Sequence, residues 1–301
     1  MEKMLKKAAI VIPHCGESLT REQEISFEHL EKHLPFYDRF LVIPGDSDFT
    51  RPGYKIKKFH SEYFRSKKTY NALVLSREFY EQFTKYEYIL IFQPDCLVFR
   101  DELLTWCEKG YDYIGAPWFK RVESTRMWWS RSDCVGNGGF SLRKVSAFLE
   151  FADRLQGCKV RQFVMYFRVR EFLHFIMGVF QMPLPRIILK VRDKSSMFFR
   201  NSFKSFKKRP SNFKIRGQEQ EDVMIYKFAA SLIPDFRIAP LEEALKFAWE
   251  TEPRYCYEKN KHQLPFGCHA WERHDRAFWE KHLLMKPLQS PSPLPELCKS
   301  V

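Results

Sequence analysis

Short apolar runs alternate with amphipathic segments along the first third of the chain. "AAIVIP" (8–13), "FLVIP" (40–44) and "YILIF" (88–92) are rich in Ile, Val and Leu and predict three buried strands. Between them, "REQEISFEHLEKHL" predicts a helix, and "YNALVLSREFYEQF" predicts a second, continuous amphipathic helix. Strands that alternate with helices are typical of an α/β fold with parallel central strands. In such sheets ligands bind beyond the carboxyl ends of the strands.

The second half of the chain continues with helical patterns. A short helix is expected around 102–107, and apolar residues at helical spacing predict longer helices within 135–155 and 221–234. We find no internal repeat. We therefore expect one domain over 1–301.

Composition narrows the class of protein. The chain has 301 residues, 45% of them hydrophobic and 16% aromatic, which is typical of an ordered globular protein. No apolar run approaches the roughly 20 residues of a membrane-spanning helix, and the run before His14 is too short for a secretory signal. The eight cysteines form no CxxC pair, which disfavours a zinc ribbon. We expect a cytoplasmic protein with reduced thiols.

The net charge of +13 is concentrated in one segment. From Arg154 to Arg216 there are sixteen Lys and Arg residues against two acids, interleaved with Phe, Met and Ile. We treat 155–215 as a basic, aromatic-rich helical insertion. It is compatible with an amphipathic segment on an anionic membrane, with a lid over an active site, or with a solvated helical hairpin. Nucleic-acid binding is the least favoured interpretation.

A lone carboxylate, Asp95, follows the apolar run 88–92 in "YEYILIFQPDCLVF". An acid at the end of a buried strand can bind a divalent cation, for which oxygen ligands suit Mg²⁺ or Mn²⁺. The alternative is an ordinary turn, because Pro94 and Asp95 both favour turns.

Three further segments carry candidate chemistry, each with a structural alternative. "GNGGFSLR" (136–143) allows a ligand close to the main chain or forms a tight turn. "GQEQEDV" (217–223) holds a candidate general base or simply places acids in a first helical turn. "PFGCHAWERHD" (265–275) contains a histidine that could bind a metal or phosphate, or pack in the core.

The order of these motifs resembles that of metal-dependent glycosyltransferases with the GT-A fold. More specifically, "YEYILIFQPDCLVF", "YDYIGAPW", "VGNGGFSLR", "EDV" and "FGCHAW" resemble a family of glycosyltransferase-like proteins named only as a domain of unknown function. The resemblance runs from about Ala8 to about His282 and is interrupted by the basic insertion. It implies a GT-A-like fold with a mixed, mostly parallel central sheet flanked by helices.

The resemblance also implies roles for individual residues. Asp95 matches the last, metal-binding acid of the DxD motif and also contacts the donor. Gln93 replaces the first acid of the motif and is expected to bind the donor through a hydrogen bond to a ribose or sugar hydroxyl. His269 matches a late histidine that completes the metal and diphosphate shell. Asp222 matches the base and Glu221 an acceptor-binding acid, although these two could be exchanged. The remaining expected contacts are to the donor nucleotide for Pro13, Gly138 and Gly139, and to the acceptor for Trp118 and Trp271.

These roles predict an enzyme that moves a sugar from a nucleotide-diphosphate sugar to a hydroxyl acceptor with inversion, assisted by Mn²⁺ or Mg²⁺. The resemblance favours a UDP-sugar donor and a glycan or lipid-linked acceptor, as in polysaccharide biosynthesis. The alternative is a non-catalytic nucleotide- or sugar-binding module of the same fold, in which Gln93 marks lost chemistry. The basic insertion adds an expectation of peripheral binding to the inner face of a membrane.

Overall fold

The computed structural model describes residues 6–119, 133–157 and 221–284. Its strands are β1 (Lys6–Pro13), β2 (Asp38–Pro44), β3 (Lys55–Phe59), β4 (Tyr86–Phe92), β5 (Leu97–Val98), β6 (Tyr113–Ile114), β7 (Pro117–Trp118), β8 (Cys134–Val135), β9 (Phe140–Lys144), β10 (Ala248–Trp249) and β11 (Gly267–Cys268). Its α-helices are α1 (Arg21–His33), α2 (Lys67–Val74), α3 (Arg77–Glu81), α4 (Leu103–Glu108), α5 (Val145–Gly157), α6 (Glu221–Leu232), α7 (Leu241–Phe247), α8 (Pro253–Lys259) and α9 (Arg276–Trp279). Short 3-10 helices span Ser61–Phe64 and Glu280–His282.

The central sheet has six strands in the order β3-β2-β1-β4-β9-β6. Strands β1 to β4 run parallel to one another, and β9 is antiparallel to both of its neighbours. Two small sheets, β10-β11-β5 and β7-β8, accompany it. The predicted mixed α/β fold with a mostly parallel central sheet is confirmed.

The inner strands form where the apolar runs predicted them, as β1, β2 and β4. Their side chains are almost all buried, which is typical of parallel strands covered on both faces. Strand β3 is a strand that we did not predict, because "KIKKF" is dominated by lysines. Among the described strands it lies at the sheet edge and pairs with β2 alone, where charged residues protect an exposed edge.

Helix α1 confirms the first predicted helix and begins at a capping box. The backbone amide of Gln23 donates to Thr20 Oγ1 at 3.3 Å, and the amide of Thr20 donates to Gln23 Oε1 at 3.0 Å. The second predicted helix is wrong as a single element: it is divided into α2 and α3. Ser76 accepts a hydrogen bond from the amide of Phe79 and so starts a new helix.

The chain divides into two compact units, one of Met1–Ala152 with Gly217–Val301 and one of Asp153–Arg216. The basic insertion predicted over 155–215 lies almost entirely outside the described residues, and so does the amphipathic membrane-binding segment expected within it. Within the described ranges, no helix is long and apolar enough to cross a membrane.

Candidate active site

The candidate site lies at the carboxyl ends of β1 and β4, which are neighbours in the sheet. Strand β4 ends at Phe92, and a turn then leads through Asp95 to β5. The backbone amide of Gln93 donates to the carbonyl of Gly139 at 2.9 Å. This hydrogen bond connects the turn after β4 to residues 136–139, which precede β9 and which we call the glycine loop.

Both oxygens of Asp95 face cationic side chains. Arg273 donates to Oδ2 at 2.8 Å, and His269 Nε2 lies 3.3 Å from Oδ1. The Asp95 side chain is 15% exposed and the Arg273 side chain is 51% exposed, so water screens the His269 contact less than the Arg273 contact. Burial alone would raise the pKa of the Asp95 carboxyl, but the charges of His269 and Arg273 and the hydrogen bond from Arg273 hold it well below its usual range.

The side chain of His269 contacts residues from three separate segments of the chain. Its Nε2 lies 2.9 Å from Gln93 Oε1, and its Nδ1 lies 3.1 Å from Glu250 Oε1. The Asn137 amide nitrogen lies 2.8 Å from the same Nδ1. With acceptors near both nitrogens the imidazolium is favoured: burial opposes the charge, yet Asp95 and Glu250 raise the pKa of His269 to about 10.

The glycine loop lets these side chains approach its main chain because three of its four residues are glycines. A Cβ atom on Gly139 would lie 2.3 Å from His269 Nε2, and one on Gly138 would lie 1.6 Å from Glu221 Oε1. Asn137 has a φ of 65°, in the left-handed region that Asn tolerates. The two glycines, predicted as donor-binding, are therefore packed against site side chains.

Asp222 lies in the first turn of α6 and faces this loop. The backbone amide of Gly138 donates to its Oδ2 at 3.2 Å, and the amide of Val223 donates to its Oδ1 at 2.8 Å. The side chain is buried. Burial, together with the charges of Glu221 and Glu250, raises the pKa of Asp222 to about 7. This is the range expected of a general base that works near neutral pH.

Glu221, the preceding residue, faces a different environment. Its Oε1 accepts from the fully buried guanidinium of Arg143 at 3.4 Å, and its Oε2 lies 3.0 Å from the Asn71 side-chain nitrogen. Arg143 also donates to Tyr80 Oη and to the carbonyl of Gly138. Glu221 therefore stabilises the charge beneath the glycine loop, and its surroundings are those of a structural ion pair.

The other predicted contact residues lie at different depths. Pro13 is the last residue of β1 and lies at the same end of the sheet as Asp95, because β1 and β4 run parallel. Trp118 is buried, and its indole donates to Glu250 Oε2 at 3.1 Å. Trp271 is completely buried in an aromatic cluster, and its indole donates to Ser26 Oγ at 3.2 Å. A ring without an exposed face offers no surface to an acceptor, so Trp271 supports the fold beneath Asp95.

Four site residues received no role from the sequence: Asn137, Arg143, Glu250 and Arg273. Three of them lie inside motifs that we singled out, in "GNGGFSLR" and "HAWERHD". Glu250 lies outside every motif and immediately follows β10. Only the pairing of β10 with β11 brings it beside His269.

The residues around Asp95 Oδ1 fit a divalent cation. This buried oxygen makes no hydrogen bond within the described part of the chain. Its separation of 3.3 Å from His269 Nε2 is close to the about 3 Å between adjacent ligands of an octahedral ion with bonds of about 2.1 Å. Glu250 on the other imidazole nitrogen supplies the carboxylate that commonly orients a ligating histidine. Across the described ranges, no group of three His, Cys, Asp or Glu side chains could hold a metal ion. Gln93 Oε1 lies 2.9 Å from His269 Nε2 and is a further oxygen beside the pair.

Several solved structures match the chain at low similarity. The glycosyltransferase GlyE of Streptococcus pneumoniae TIGR4 is 13% identical with a TM-score of 0.42, and the match covers 93% of this chain and 60% of GlyE. The galactosyltransferase LgtC, solved with donor and acceptor sugar analogues, is 14% identical with a TM-score of 0.45, over 93% of this chain and 97% of LgtC.

A 4-diphosphocytidyl-2C-methyl-D-erythritol synthase from Anaerococcus prevotii DSM 20548 is 10% identical with a TM-score of 0.32, over 50% of this chain and 75% of the synthase. The chain thus spans about 60% of the length of GlyE. With TM-scores below 0.5, these similarities establish no function for this chain.

No curated protein matches the chain. A family model does match, over residues 53–269, which is more than half of the sequence and includes the turn after β4, the glycine loop, Asp222 and His269. The chain belongs to the family described as protein of unknown function (DUF5672).

Proposed function

We propose that the protein is a glycosyltransferase that moves a sugar from a nucleotide-diphosphate sugar to a hydroxyl acceptor with inversion. One observation carries this proposal. The glycine loop holds His269 against Asp95 and, through the Gly138 amide, also holds a buried carboxylate with a raised pKa, Asp222. The proposed diphosphate site and the proposed general base therefore adjoin the same loop.

The donor side of the site centres on Asp95. Gln93, Asp95 and His269 would hold Mn²⁺ or Mg²⁺, which, when bound, neutralises charge on the diphosphate leaving group. His269 would hold the cation as a neutral imidazole, with Nε2 unprotonated. Arg273 lies 2.8 Å from Asp95 and adds a fixed cation beside the same phosphates. Pro13, on the same sheet edge, is proposed to contact the nucleotide.

The acceptor side centres on Asp222. As a carboxylate it removes the proton from the acceptor hydroxyl while that oxygen attacks the anomeric carbon and the diphosphate leaves. Attack opposite the leaving group inverts the anomeric centre. Its buried position favours this role, because a raised pKa gives the carboxylate enough basicity to take a hydroxyl proton.

The identities of the substrates rest on the family resemblance. It favours a UDP-sugar as donor and a glycan or a lipid-linked sugar as acceptor. The basic insertion favours an acceptor at an anionic membrane surface, reached from the cytoplasmic side. These are expectations from the sequence.

A second function is favoured by Gln93. A neutral amide stands where an acid would strengthen cation binding, and it already lies 2.9 Å from His269. A non-catalytic nucleotide- or sugar-binding module would tolerate this change. It would not need a buried carboxylate such as Asp222, whose desolvation makes it costly to keep ionised.

The donor site is tested by Asp95→Asn. We expect the variant to fold and to lose Mn²⁺-dependent affinity for UDP, because the amide removes the only carboxylate among the three proposed ligands. Calorimetric titration of UDP with and without Mn²⁺ measures this directly. Asp235→Asn, on an exposed turn, is the matched control and should bind like the wild type. Unchanged Mn²⁺-dependent affinity in a folded Asp95→Asn variant contradicts the donor site.

A further inference from the structure

Tyr113 is a fully buried tyrosine beside the glycine loop. It lies in "YDYIGAPW" (111–118), where the strand β6 pairs it with Arg143 of β9. Its main chain is held on both sides: its amide donates to the carbonyl of Arg237 at 3.2 Å, and its carbonyl accepts from the amide of Ala239 at 3.0 Å. The ring therefore has a well-defined position.

The hydroxyl of Tyr113 binds the main chain of the glycine loop. It lies 3.0 Å from the carbonyl oxygens of both Gly136 and Asn137, and it donates to this pair. Gly115, two residues after Tyr113, lets the same carbonyls approach. A Cβ atom there would lie 1.9 Å from the oxygen of Gly136 and 2.7 Å from that of Asn137. The tyrosine and the glycine of "YDYIGAPW" thus contact one stretch of main chain.

This contact determines where the amide of Gly138 points. The carbonyl of Asn137 and the amide of Gly138 belong to one peptide unit, and in a planar trans peptide the oxygen and the hydrogen point in opposite directions. Tyr113 holds the oxygen. On the other side, the nitrogen of Gly138 lies 3.2 Å from Asp222 Oδ2. The hydroxyl of Tyr113 therefore directs the Gly138 amide at Asp222.

The peptide unit that follows Gly138 is also held. The hydroxyl of Ser141 donates to the carbonyl of Gly138 at 3.0 Å, and Arg143 donates to the same oxygen at 3.2 Å. Ser141 and Arg143 are two residues apart in β9, so they lie on one face of the strand, and both are fully buried. Because a glycine has unusually free backbone angles, hydrogen bonds on both sides are needed to keep one orientation.

The orientation of this amide matters because the groups around Asp222 have opposing effects. Besides burial, its neighbours include Glu221, Glu250, Lys67 and the amide of Val223. Burial and the two carboxylates raise the pKa of Asp222, whereas the ammonium and the amide lower it. Tyr113 stays neutral, because burial and the charge of Asp222 raise the pKa of its hydroxyl well above the ordinary value. An amide that donates to a carboxylate stabilises the charged form.

We propose that Tyr113 and Ser141 are positioning residues for Asp222. Their hydroxyls fix the two peptide units around Gly138 so that its amide donates to the carboxylate. Both act through the main chain of the glycine loop. The inference rests on the proposed function for the role of Asp222 as base, whereas the effect on the ionisation of Asp222 does not depend on that role.

The test uses two variants, each with a matched control. Tyr113→Phe keeps the ring and removes the hydroxyl, and Tyr88→Phe makes the same change at a fully buried tyrosine of β4. Ser141→Ala removes the second hydroxyl. Ser26→Ala is its control, because the fully buried hydroxyl of Ser26 also donates to a main-chain carbonyl, at 3.2 Å within α1. Thermal denaturation establishes that each variant is folded.

The ionisation of Asp222 is measured directly by carboxyl ¹³C NMR of protein labelled at aspartate. The signal of Asp222 is assigned by its absence in Asp222→Asn. The pH dependence of nucleoside diphosphate release and the Mn²⁺-dependent affinity for UDP are measured on the same variants. The NMR titration needs no turnover, so it tests the positioning of Asp222 separately from the proposed function.

We expect the pKa of Asp222 to rise by roughly 0.5–1 pH unit in Tyr113→Phe, the worth of a weakened hydrogen bond to a charged group. The rise should be smaller in Ser141→Ala, because Arg143 still holds the Gly138 oxygen. The pH at which the rate increases should move by the same amount. The affinity for UDP should stay near the wild-type value, and both controls should keep the wild-type pKa.

A folded Tyr113→Phe variant in which the pKa of Asp222 is unchanged or lowered overturns the proposal. So does an equal rise in Tyr88→Phe or Ser26→Ala. If Tyr113→Phe does not fold, Ser141→Ala decides by the same criterion. If the pKa rises as expected but the wild type releases no nucleoside diphosphate from any donor, the positioning of Asp222 stands and the proposed function is refuted.

Discussion

Asp95 and His269 determine each other's charge. His269 is a principal reason that the pKa of Asp95 is depressed, and Asp95 is a principal reason that the pKa of His269 rises to about 10. Arg273 pairs with Asp95, and Glu250 pairs with His269, so positive and negative groups alternate along these four side chains. Because Asp95, His269 and Glu250 are mostly buried, removing one of them leaves a neighbouring charge without its partner, which is costly in a low-dielectric site.

Glu221 and Asp222 are adjacent in sequence yet have opposite roles. Asp222 faces the glycine loop and has a raised pKa, whereas Glu221 points at the buried guanidinium of Arg143. The sequence places both acids at the start of a helix and leaves their roles exchangeable. The difference comes from Arg143, which lies 78 residues from Glu221 in the chain.

At the residue scale, we predict that Glu221→Gln lowers the stability of the fold. The substitution leaves the fully buried Arg143 without its counter-ion, so the free energy of unfolding should fall by about 3–5 kcal/mol. Urea denaturation at pH 7.5 measures the change, and Asp222→Asn is the matched comparison, expected to be at least as stable as the wild type at that pH. If Glu221→Gln instead keeps the wild-type stability and loses turnover, then Glu221 is the base and Asp222 the structural acid.

The sequence predicts some of these residues better than others. Asp95, Asp222 and His269 are found because each follows or begins a predictable element within a recognisable motif. Glu250 and Asn137 are missed because their role depends on the pairing of β10 with β11 and on a left-handed φ, which short-range patterns do not encode. Trp271 is the opposite case: it lies within a recognisable motif, but the motif does not reveal that its ring is buried.

At the scale of elements, the glycine loop before β9 connects the other parts of the site. It accepts a hydrogen bond from Gln93 in the turn after β4, donates one to Asp222 at the start of α6, and packs against His269 after β11. The inner strands that support it were predictable from continuous apolar runs. The division between α2 and α3 was not, because apolar spacing continues across Ser76 while its hydroxyl caps a new helix.

We predict that Gly139→Ala disables the donor site without unfolding the protein. The added Cβ would lie 2.3 Å from His269 Nε2, so the imidazole must move away from Asp95. Mn²⁺-dependent affinity for UDP should fall at least tenfold, as measured by calorimetry. Thermal denaturation of the same samples controls for folding. Wild-type affinity in Gly139→Ala would mean that the position of His269 does not matter for the donor.

At the scale of the whole molecule, charge is the property that sets one segment apart. The excess of basic residues between Arg154 and Arg216 exceeds the net charge of the chain, so the rest is close to neutral. Phe172, Phe175, Ile176 and Phe180 lie near helical spacing in this segment, which predicts an apolar stripe flanked by cations. Each cation near an anionic surface contributes roughly 1 kcal/mol to binding.

We predict that the protein binds anionic vesicles and that salt weakens this binding. Sedimentation with anionic and with neutral liposomes at low and high salt measures it. Replacing Arg161, Arg168 and Arg170 by Gln should abolish it, and the same number of changes at Lys55, Lys57 and Lys58 near the sheet edge is the control. Absence of binding to either vesicle type would leave the lid or the solvated hairpin as the interpretation of this segment.

The most direct test of the central claim is release of nucleoside diphosphate from a panel of nucleotide sugars, with and without Mn²⁺, by the wild type and by Asp222→Asn. We predict Mn²⁺-dependent release from at least one donor, with UDP-sugars favoured. Because the base works deprotonated and its pKa is about 7, the wild-type rate should rise as the pH increases through 7. Asp222→Asn should bind the donor normally and turn over on the order of 10²–10⁴ times more slowly. Donors that bind but release nothing, or an Asp222→Asn variant that keeps the wild-type rate, would contradict the proposed glycosyl transfer.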